Sequence, residues 1–247
     1  MLGNSKKIKK QTMNDNLLNQ ITPFIKLARY DRPVGFMLLF WPCMWSLLLY
    51  SLYIDQPVPI SFFVLFFIGS IIMRGAGCTW NDFLDKEYDK NVTRTKDRPL
   101  ASDKIKTINV LVFLVVQLLI GLLILVQFNK LTIIIGSLAL IPVFIYPLMK
   151  RVTWWPQIFL GITFNWGALL GWLSLSNDFS SIYPILLYLA CIFWTVGYDT
   201  IYAHQDKDDD IVLNLKSSAI KLGENTKNAL LIFYAIFFII FAVILFS

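Results

Sequence analysis

The chain has 247 residues, of which 57% are hydrophobic and 15% are charged, with a formal net charge of +6. Soluble domains are typically about 45–50% apolar and about 25% charged. The composition therefore excludes a water-facing globular fold and indicates a protein that lies mostly in lipid.

Apolar runs long enough to cross a bilayer, about 20 residues each, recur along the whole chain. They cover residues 33–53, 60–79, 108–127, 131–149, 156–174, 183–200 and 228–246. The sequence predicts an all-α, polytopic transmembrane helix bundle of seven spans, with a single transmembrane domain over 33–247. Residues 1–32 carry lysines but no apolar run of their own, so we expect a cytoplasmic N-terminal segment and not a signal peptide.

Lysine and arginine fall almost entirely on one side of these spans. Residues 1–32 carry seven, and the connections after spans two, four and six carry seven, two and four. The connections after spans one, three and five carry none, one and none. Because cytoplasmic connections are enriched in lysine and arginine, the N-terminus and the connections after spans two, four and six are predicted to be cytoplasmic.

Acidic residues concentrate at two of these cytoplasmic connections, since twelve of the sixteen lie between 82 and 103 or between 199 and 224. In the first cluster Asp82, Asp85 and Asp89 stand at i, i+3 and i+7, and Asn81 precedes Asp85 by four. On a helix that continues past span two, this spacing predicts one shared face.

The second acidic cluster follows span six. Asp199, Asp206 and Asp210 stand at i, i+7 and i+11, and share one face if the helix continues. Like charges at this density repel one another unless cations lie among them. Oxygen ligands favour a hard ion, and Mg²⁺ typically binds a few carboxylates together with substrate phosphate. The two clusters therefore predict Mg²⁺ and a phosphorylated substrate, with a solvated acidic loop as the alternative for residues 208–210.

Basic residues accompany the acidic clusters. Arg94 and Arg98 follow the first cluster, and Lys150 and Arg151 end span four on the same membrane face. Such cations suit a diphosphate, whose oxygens guanidinium groups bind in pairs. The topology alone accounts for their number, but not for the closeness of Arg94 and Arg98 to the aspartates.

Arg74 is a charge inside the second span, where insertion costs about 2.5–3.5 kcal/mol. It precedes Asn81 by seven residues, about two helical turns, and is therefore expected on the face of the first cluster but deeper in the membrane. We interpret it as the anchor for an anionic group of a second substrate. Snorkelling of its side chain to the interface is the alternative.

These motifs resemble those of the UbiA-type intramembrane prenyltransferases. The stretch 81–99 resembles the first aspartate motif of that family with its trailing arginines, and the stretch 198–210 resembles the second. Within the family, the stretches 29–42, 73–78 and 146–151 resemble the 4-hydroxybenzoate branch.

The resemblance implies an activity. A polyprenyl group would pass from polyprenyl diphosphate to the ring carbon ortho to the hydroxyl of 4-hydroxybenzoate, giving 3-polyprenyl-4-hydroxybenzoate for ubiquinone biosynthesis. The enzyme would need Mg²⁺, lie in the bilayer of a bacterial or mitochondrial inner membrane, and carry its two Asp-rich loops as a cytoplasmic cap. Nucleic acid is not an expected partner, because the basic residues follow the membrane topology.

The resemblance also implies roles for individual residues. The metal ligands would be Asp82, Asp85, Asp89, Asp206 and Asp210. Asp199 would be a further catalytic residue that orients the phenol or takes the ring proton. The substrate-binding residues would be Arg32, Arg74, Asn81, Arg94, Arg98, Lys150, Arg151 and Tyr198.

Three alternatives stay open. Another prenyltransferase of the superfamily, acting in menaquinone, haem or chlorophyll synthesis, would share the aspartates, but Arg74 and residues 31–33 favour the benzoate acceptor. A transporter is disfavoured because the acids lie at one interface and not near the membrane midplane. The family usually has nine spans, so a chain of seven would lack the last two helices, and an inactive, C-terminally truncated remnant is the third alternative.

Overall fold

The computed structural model describes residues 18–176 and 178–246, and the chain is built from helices. These are α1 (18–27), α2 (Pro33–Ile54), α3 (Ile60–Leu84), α4 (Lys86–Asp89), α5 (Thr107–Leu125), α6 (Lys130–Leu138), α7 (Leu140–Ile145), α8 (Met149–Val152), α9 (Pro156–Phe164), α10 (Gly167–Ser176), α11 (Tyr183–Ala203), α12 (Lys207–Val212), α13 (Ser218–Leu222) and α14 (Thr226–Phe246). Short 3-10 turns cover Tyr146–Leu148, His204–Asp206 and Gly223–Asn225. These described residues contain no strand, and the all-α prediction is confirmed.

Seven helical segments are long and apolar enough to cross a membrane, which confirms the predicted number of spans. They are Pro33–Ile54, Ile60–Leu84, Thr107–Leu125, Lys130–Val152, Pro156–Ser176, Tyr183–Val212 and Ser218–Phe246. The second and sixth run beyond their apolar cores, so both acidic clusters begin within helical ends. Residues 1–17, with four of the five lysines of the predicted N-terminal segment, lie outside the described residues.

The first and fifth spans make the closest crossing of the bundle. A Cβ atom on Gly171 would stand 2.5 Å from the carbonyl oxygen of Cys43 and 2.7 Å from Cβ of Ser46. The Ser46 hydroxyl donates to the carbonyl of Ala168 and accepts from the backbone N–H of Trp172. Helices in lipid associate through close packing and hydrogen bonds, and a small residue at the crossing permits both.

The fifth span is interrupted between α9 and α10, and the interruption is closed by one buried amide. Nδ2 of Asn165 donates to the carbonyls of Gly161 and Cys191, at 2.8 and 3.1 Å, and to Oγ1 of Thr195 at 2.7 Å. Free backbone groups inside a membrane must find partners within the protein. The Ile162 carbonyl, which the break frees, accepts from the Tyr188 hydroxyl at 2.8 Å, and Phe164 at the end of α9 lies beside Arg74 of the second span.

The fourth span is also interrupted, near its charged end. After α7 the chain passes through the 3-10 turn Tyr146–Leu148, which contains Pro147, and ends in α8 with Lys150 and Arg151. Proline lacks the N–H that a continuous helix would use at this point. The turn brings Tyr146 to the bundle interior and the two basic side chains to the end of α3.

The segment α1 packs beneath the connection that follows the second span. Leu27, Leu100, Ile105 and Val110 form a buried apolar cluster, each at most 5% exposed. This cluster fixes the connection 90–106 against α1. It therefore determines where the arginines of that connection lie relative to the ends of the transmembrane helices.

We expect Gly171→Val to lower the free energy of unfolding by about 1–3 kcal/mol, because the added methyl groups would force α10 away from α2. Thermal unfolding of the purified protein in detergent measures the change. Gly77→Ala is the matched control, since nothing lies within 4 Å of a Cβ added there. Equal melting temperatures for the two variants would contradict the close crossing.

Candidate active site

The first acidic cluster occupies the junction of α3 and α4. Helical hydrogen bonding continues across it, from Asp85 N to Asn81 O at 3.0 Å and from Asp89 N to Asp85 O at 2.8 Å. At about 100° per residue, Asp82 and Asp89 point in nearly the same direction, whereas Asp85 is turned by about 60° from Asp82. The three side chains thus lie on one side of the helix, as predicted, but Asp85 has different partners from Asp82 and Asp89.

Asp85 is directed toward the end of the fourth span. Its Oδ2 accepts from Nζ of Lys150 at 2.6 Å, and its Oδ1 accepts from Nη2 of Arg151 at 3.0 Å. The Asn81 amide donates weakly to the same carboxylate at 3.4 Å. The residue is buried, so two cations compensate a carboxylate removed from water.

Asp82 and Asp89 are directed toward α1 and share one arginine. Asp82 accepts two hydrogen bonds from Arg29, at 2.7 and 2.8 Å, and a third from Nη1 of Arg98 at 3.1 Å. The same Arg98 nitrogen donates to Oδ2 of Asp89 at 2.7 Å. Four charged groups with no net charge thus lie together beneath the connection 90–106.

Burial and ion pairing shift the pKa values of these residues in opposite directions. Burial alone would lower the pKa of Arg29, but the hydrogen bonds and charge of Asp82 outweigh it and raise that pKa above its ordinary value. Burial raises the pKa of the Asp89 carboxyl, and the charge of Arg98 works against that shift.

The second acidic cluster is joined to the connection 90–106 by a paired ion bridge. Nε of Arg94 donates to Oδ1 of Asp206 at 2.7 Å, and Nη2 donates to Oδ2 at 2.5 Å. Nη1 donates to the Tyr202 hydroxyl at 3.3 Å. Asp210 lies within electrostatic range of Asp206 and Lys150. A 3-10 turn at His204–Asp206 changes the helical register, so the predicted continuous face from 199 to 210 is broken.

A second group of polar side chains, the inner cluster, lies deeper between the spans. It comprises Arg74, Tyr146, Tyr198 and Asp199, and Arg74 interacts electrostatically with the other three. The guanidinium carbon of Arg74 lies 5.0 Å from the ring centre of Phe164. Its Nε is buried and makes no hydrogen bond to any described residue. The inner cluster therefore holds a cation with donor capacity to spare.

The two levels are connected through Asn81. The Tyr146 hydroxyl donates weakly to Oδ1 of Asn81 at 3.5 Å, and the Asn81 amide in turn reaches Asp85. Side chains of one network thus run from the acidic end of α3 down to Arg74. Groups bound at the two levels would lie next to one another.

An apolar cavity of about 380 Å³ opens beside the inner cluster, between the first five spans. Phe164 belongs both to its wall and to the surroundings of Arg74. Met73 lines it from α3, and Phe66 and Phe128 line it farther from the charged end. An apolar chain in this cavity would begin next to the polar network.

The oxygen donors fit Mg²⁺ as part of a complex with phosphate. Within 18–176 and 178–246, no three Asp, Glu, His or Cys side chains lie close enough to hold a metal ion by themselves. Mg²⁺ usually binds one or two carboxylates and takes its other ligands from water and substrate phosphates. The carboxylates of Asp85, Asp89, Asp206 and Asp210 with the Asn81 carbonyl offer donors of this kind.

The structure brings the predicted site residues together, except for Arg32. Arg32 is exposed, and its recorded ion-pair partner is Asp31 at 4.0 Å. Arg29, three residues earlier, reaches the first cluster instead. Sequence reasoning also gave no role to Tyr146 or Phe164. Arg29 and Tyr146 lie within stretches that carried the family resemblance, and this was the signal available for them.

The sequence pattern of the UbiA prenyltransferase family matches residues 39–247. The chain belongs to this family. A relative from Drosophila melanogaster, "4-hydroxybenzoate polyprenyltransferase, mitochondrial", is 50% identical over 220 residues, which are 89% of this chain and 56% of the relative. The protein of the same name from Arabidopsis thaliana is 48% identical over 211 residues, 85% of this chain and 52% of the relative. The chain thus spans about half the length of the curated relatives it matches.

Solved structures show the same fold. The apo structure of a UbiA homologue from Aeropyrum pernix K1 has a TM-score of 0.71 at 24% identity, covering 85% of this chain and 77% of its own. A UbiA homologue from Archaeoglobus fulgidus, bound to GPP and Mg²⁺, has a TM-score of 0.67 at 18% identity, covering 90% and 77%. The helix arrangement described above is that of UbiA proteins.

We expect Arg94→Ala to free the segment 204–212 without unfolding the bundle, because the Arg94–Asp206 bridge joins two connections at a partly exposed site. Amide hydrogen exchange should accelerate there, while the melting temperature falls little, since exposed ion pairs contribute about 0–1 kcal/mol. Lys90→Ala, which removes an exposed pair with Glu87, is the control. Unchanged exchange at 204–212 would show that the bridge does not hold this segment.

Proposed function

We propose that this chain transfers a polyprenyl group from polyprenyl diphosphate to 4-hydroxybenzoate. The observation that carries the proposal is the two-level polar network. Its upper level consists of paired cations and carboxylates. Its lower level contains the buried Arg74, whose Nε makes no hydrogen bond to a described residue. The upper level suits a diphosphate, the lower suits a carboxylate, and the adjoining cavity suits an isoprenoid chain. The names of the curated relatives support the same activity.

The upper level is proposed to bind the diphosphate. Lys150, Arg151 and Arg94 now neutralise Asp85 and Asp206, and the same cations can donate to phosphate oxygens. Mg²⁺ would be held by Asn81, Asp85, Asp89, Asp206 and Asp210. When bound, it supplies charge neutralisation for the departing diphosphate. The homologue structure with GPP and Mg²⁺ supports this metal for the family fold.

The lower level is proposed to bind the acceptor. The guanidinium of Arg74 would donate to the carboxylate of 4-hydroxybenzoate, with the ring packed near Phe164. Tyr146 and Tyr198 border the same space. The hydroxyl end of the acceptor would then point toward Asn81 and the diphosphate level.

The reaction follows from this placement. The bond between the allylic carbon and the diphosphate oxygen breaks, and its electron pair leaves with the diphosphate. The electron-rich carbon ortho to the acceptor hydroxyl forms the new bond to the allylic carbon. The ring then loses the proton from that carbon, and Asp199 is proposed to orient the phenol or to take this proton. Enclosure by the spans excludes water, which would otherwise capture the allylic cation.

The location of the protein follows from the same features. The chain is an integral membrane protein, and we propose an inner membrane, bacterial or mitochondrial, with the polar end facing the cytoplasm or matrix. The isoprenoid tail would remain in lipid and in the apolar cavity. A different aromatic acceptor is the main competing proposal, and the buried Arg74 favours an acceptor with a carboxylate.

Transfer of a labelled polyprenyl group to 4-hydroxybenzoate, by membranes that contain the 247-residue chain, tests the activity. We expect chelation to abolish turnover and added Mg²⁺ to restore it. Asp85→Asn should lower turnover by at least about 100-fold, as does the loss of one electrostatic partner of a transition state in other enzymes. Lys90→Ala, outside the network, should retain activity. Inserted protein that shows no turnover would contradict the proposal.

Arg74→Ala should raise KM for 4-hydroxybenzoate by about 10–100-fold, which corresponds to the loss of a charged hydrogen bond of about 1.5–3 kcal/mol. Binding of polyprenyl diphosphate should change little. The comparison acceptor is 4-hydroxybenzamide, which has the same shape without the charge. Arg74→Ala should reduce the preference for the acid over the amide. Equal weakening of donor and acceptor binding would refute the role given to Arg74.

A further inference from the structure

Asp82 is the residue of the first cluster that two guanidinium groups hold. It is 1% exposed, and three hydrogen bonds from two guanidinium groups occupy its oxygens. A carboxylate offers about four acceptor positions, so one at most is left. Lys150 and Arg151, the cations beside Asp85, are 28% and 31% exposed, whereas Arg29 and Arg98 beside Asp82 are 18% and 20% exposed. Asp82 is held from both sides.

The residue that holds Asp82 has an unusual backbone. Arg29 has φ = 59°, in the left-handed region. It follows the end of α1, where Tyr30 N bonds to Ile25 O at 3.0 Å and Arg29 N bonds to Lys26 O at 3.2 Å. This is a Schellman motif, and its left-handed position is usually glycine because a Cβ atom is disfavoured there.

The side chain explains why arginine occupies a glycine position. Nη1 of Arg29 donates to the carbonyl of Leu27 at 2.6 Å, and the guanidinium is thereby fixed before it meets Asp82. Backbone strain that persists in a fold points to a local function. The turn places one rigid cation opposite one rigid anion, between α1 and the second span.

The arrangement continues to the candidate active site through Arg98. Its Nη1 lies between Asp82 and Asp89, at 3.1 and 2.7 Å from their oxygens. Leu100 and Ile105, which follow in the chain, pack against Leu27 of α1. The contacts of Arg98 thus join Asp82, and through it Arg29, to Asp89 and to the connection that carries Arg94.

We infer that Arg29, Asp82 and Arg98 form a positioning relay that holds Asp89 and the connection 90–106 in place for the metal–diphosphate complex. Asp82 is then a positioning residue in place of the metal ligand that the family motif implies. Arg29 belongs to the machinery of the site although it lies outside both aspartate motifs. The inference rests on the proposed binding of a prenyl diphosphate.

A double-mutant cycle on the full chain tests the relay without any turnover. The probe is geranyl thiolodiphosphate with Mg²⁺, and its affinity is measured by calorimetry in detergent. We expect Arg29→Gly and Asp82→Asn each to weaken binding about tenfold, as is usual for partners of metal ligands. Residues that act as one unit are not additive, so the double variant should bind no more weakly than either single variant. Asp85→Asn should bind the probe much more weakly than Arg29→Gly or Asp82→Asn.

Arg29→Gly separates positioning from folding. Glycine suits the left-handed position, so this variant should melt no lower than Arg29→Ala while both lose the guanidinium. Arg29→Lys keeps the charge without the paired geometry and should recover binding in part. Lys90→Ala is the control for the loss of a cation from the same end of the protein.

Several outcomes would overturn the relay. Asp82→Asn as damaging as Asp85→Asn, with Arg29→Gly unaffected, would make Asp82 a direct ligand. Additive losses in the double variant would make the two residues independent. If the unaltered chain fails to bind the probe, the proposed function fails. Hydrogen exchange at 90–106 then decides the relay: equal acceleration in Arg29→Gly and Asp82→Asn supports it, and no acceleration refutes it.

Discussion

Compensation of buried carboxylates at the end of a membrane helix is the constraint on which this structure depends. Asp82, Asp85 and Asp89 are each at most 5% exposed, and an unpaired charge in such a place would cost several kcal/mol. Each is met by a cation from a different part of the chain: α1, the connection 90–106 or the end of the fourth span. The acidic cluster therefore assembles the polar end, because the cations bring their own elements with them.

The same pairing suits the proposed binding of a polyanion. Lys150, Arg151 and Arg94 are each between 28% and 40% exposed, whereas the Asp85 carboxylate beneath two of them is 2% exposed. A diphosphate that arrives with Mg²⁺ brings both signs of charge, so cations can turn to phosphate while carboxylates turn to the metal. This exchange of ion-pair partners creates little net charge, so its electrostatic cost is low even at a site near lipid. Arg29 is different, because its backbone and the four acceptor atoms around its guanidinium fix it.

The sequence predicts correctly those structural features that depend on a single property of the chain. Spanning length and hydrophobicity alone define the seven helices. The sequence did not reveal that Asp82 and Asp85 have different partners, because this depends on which cations the fold presents from α1 and α8. For the same reason the sequence predicts a binding role for Arg32 and none for Arg29, because only the turn that ends α1 decides which of the two side chains points into the bundle. The break at Asn165 has partners 26 and 30 residues away and leaves no local pattern.

The depth of Arg74 relates the fold to the chemistry. Seven residues separate it from Asn81, a rise of about 10 Å along α3. A carboxylate bound to Arg74 and a diphosphate bound above Asn81 would be held apart by that helix, whose length between them cannot vary. An acceptor with its carboxylate para to its hydroxyl spans the gap with the hydroxyl directed upward, so the ortho carbon faces the allylic carbon. A shorter or bent acceptor would satisfy one level only. Under the proposed function, the charge buried in the second span would select for the shape of the acceptor.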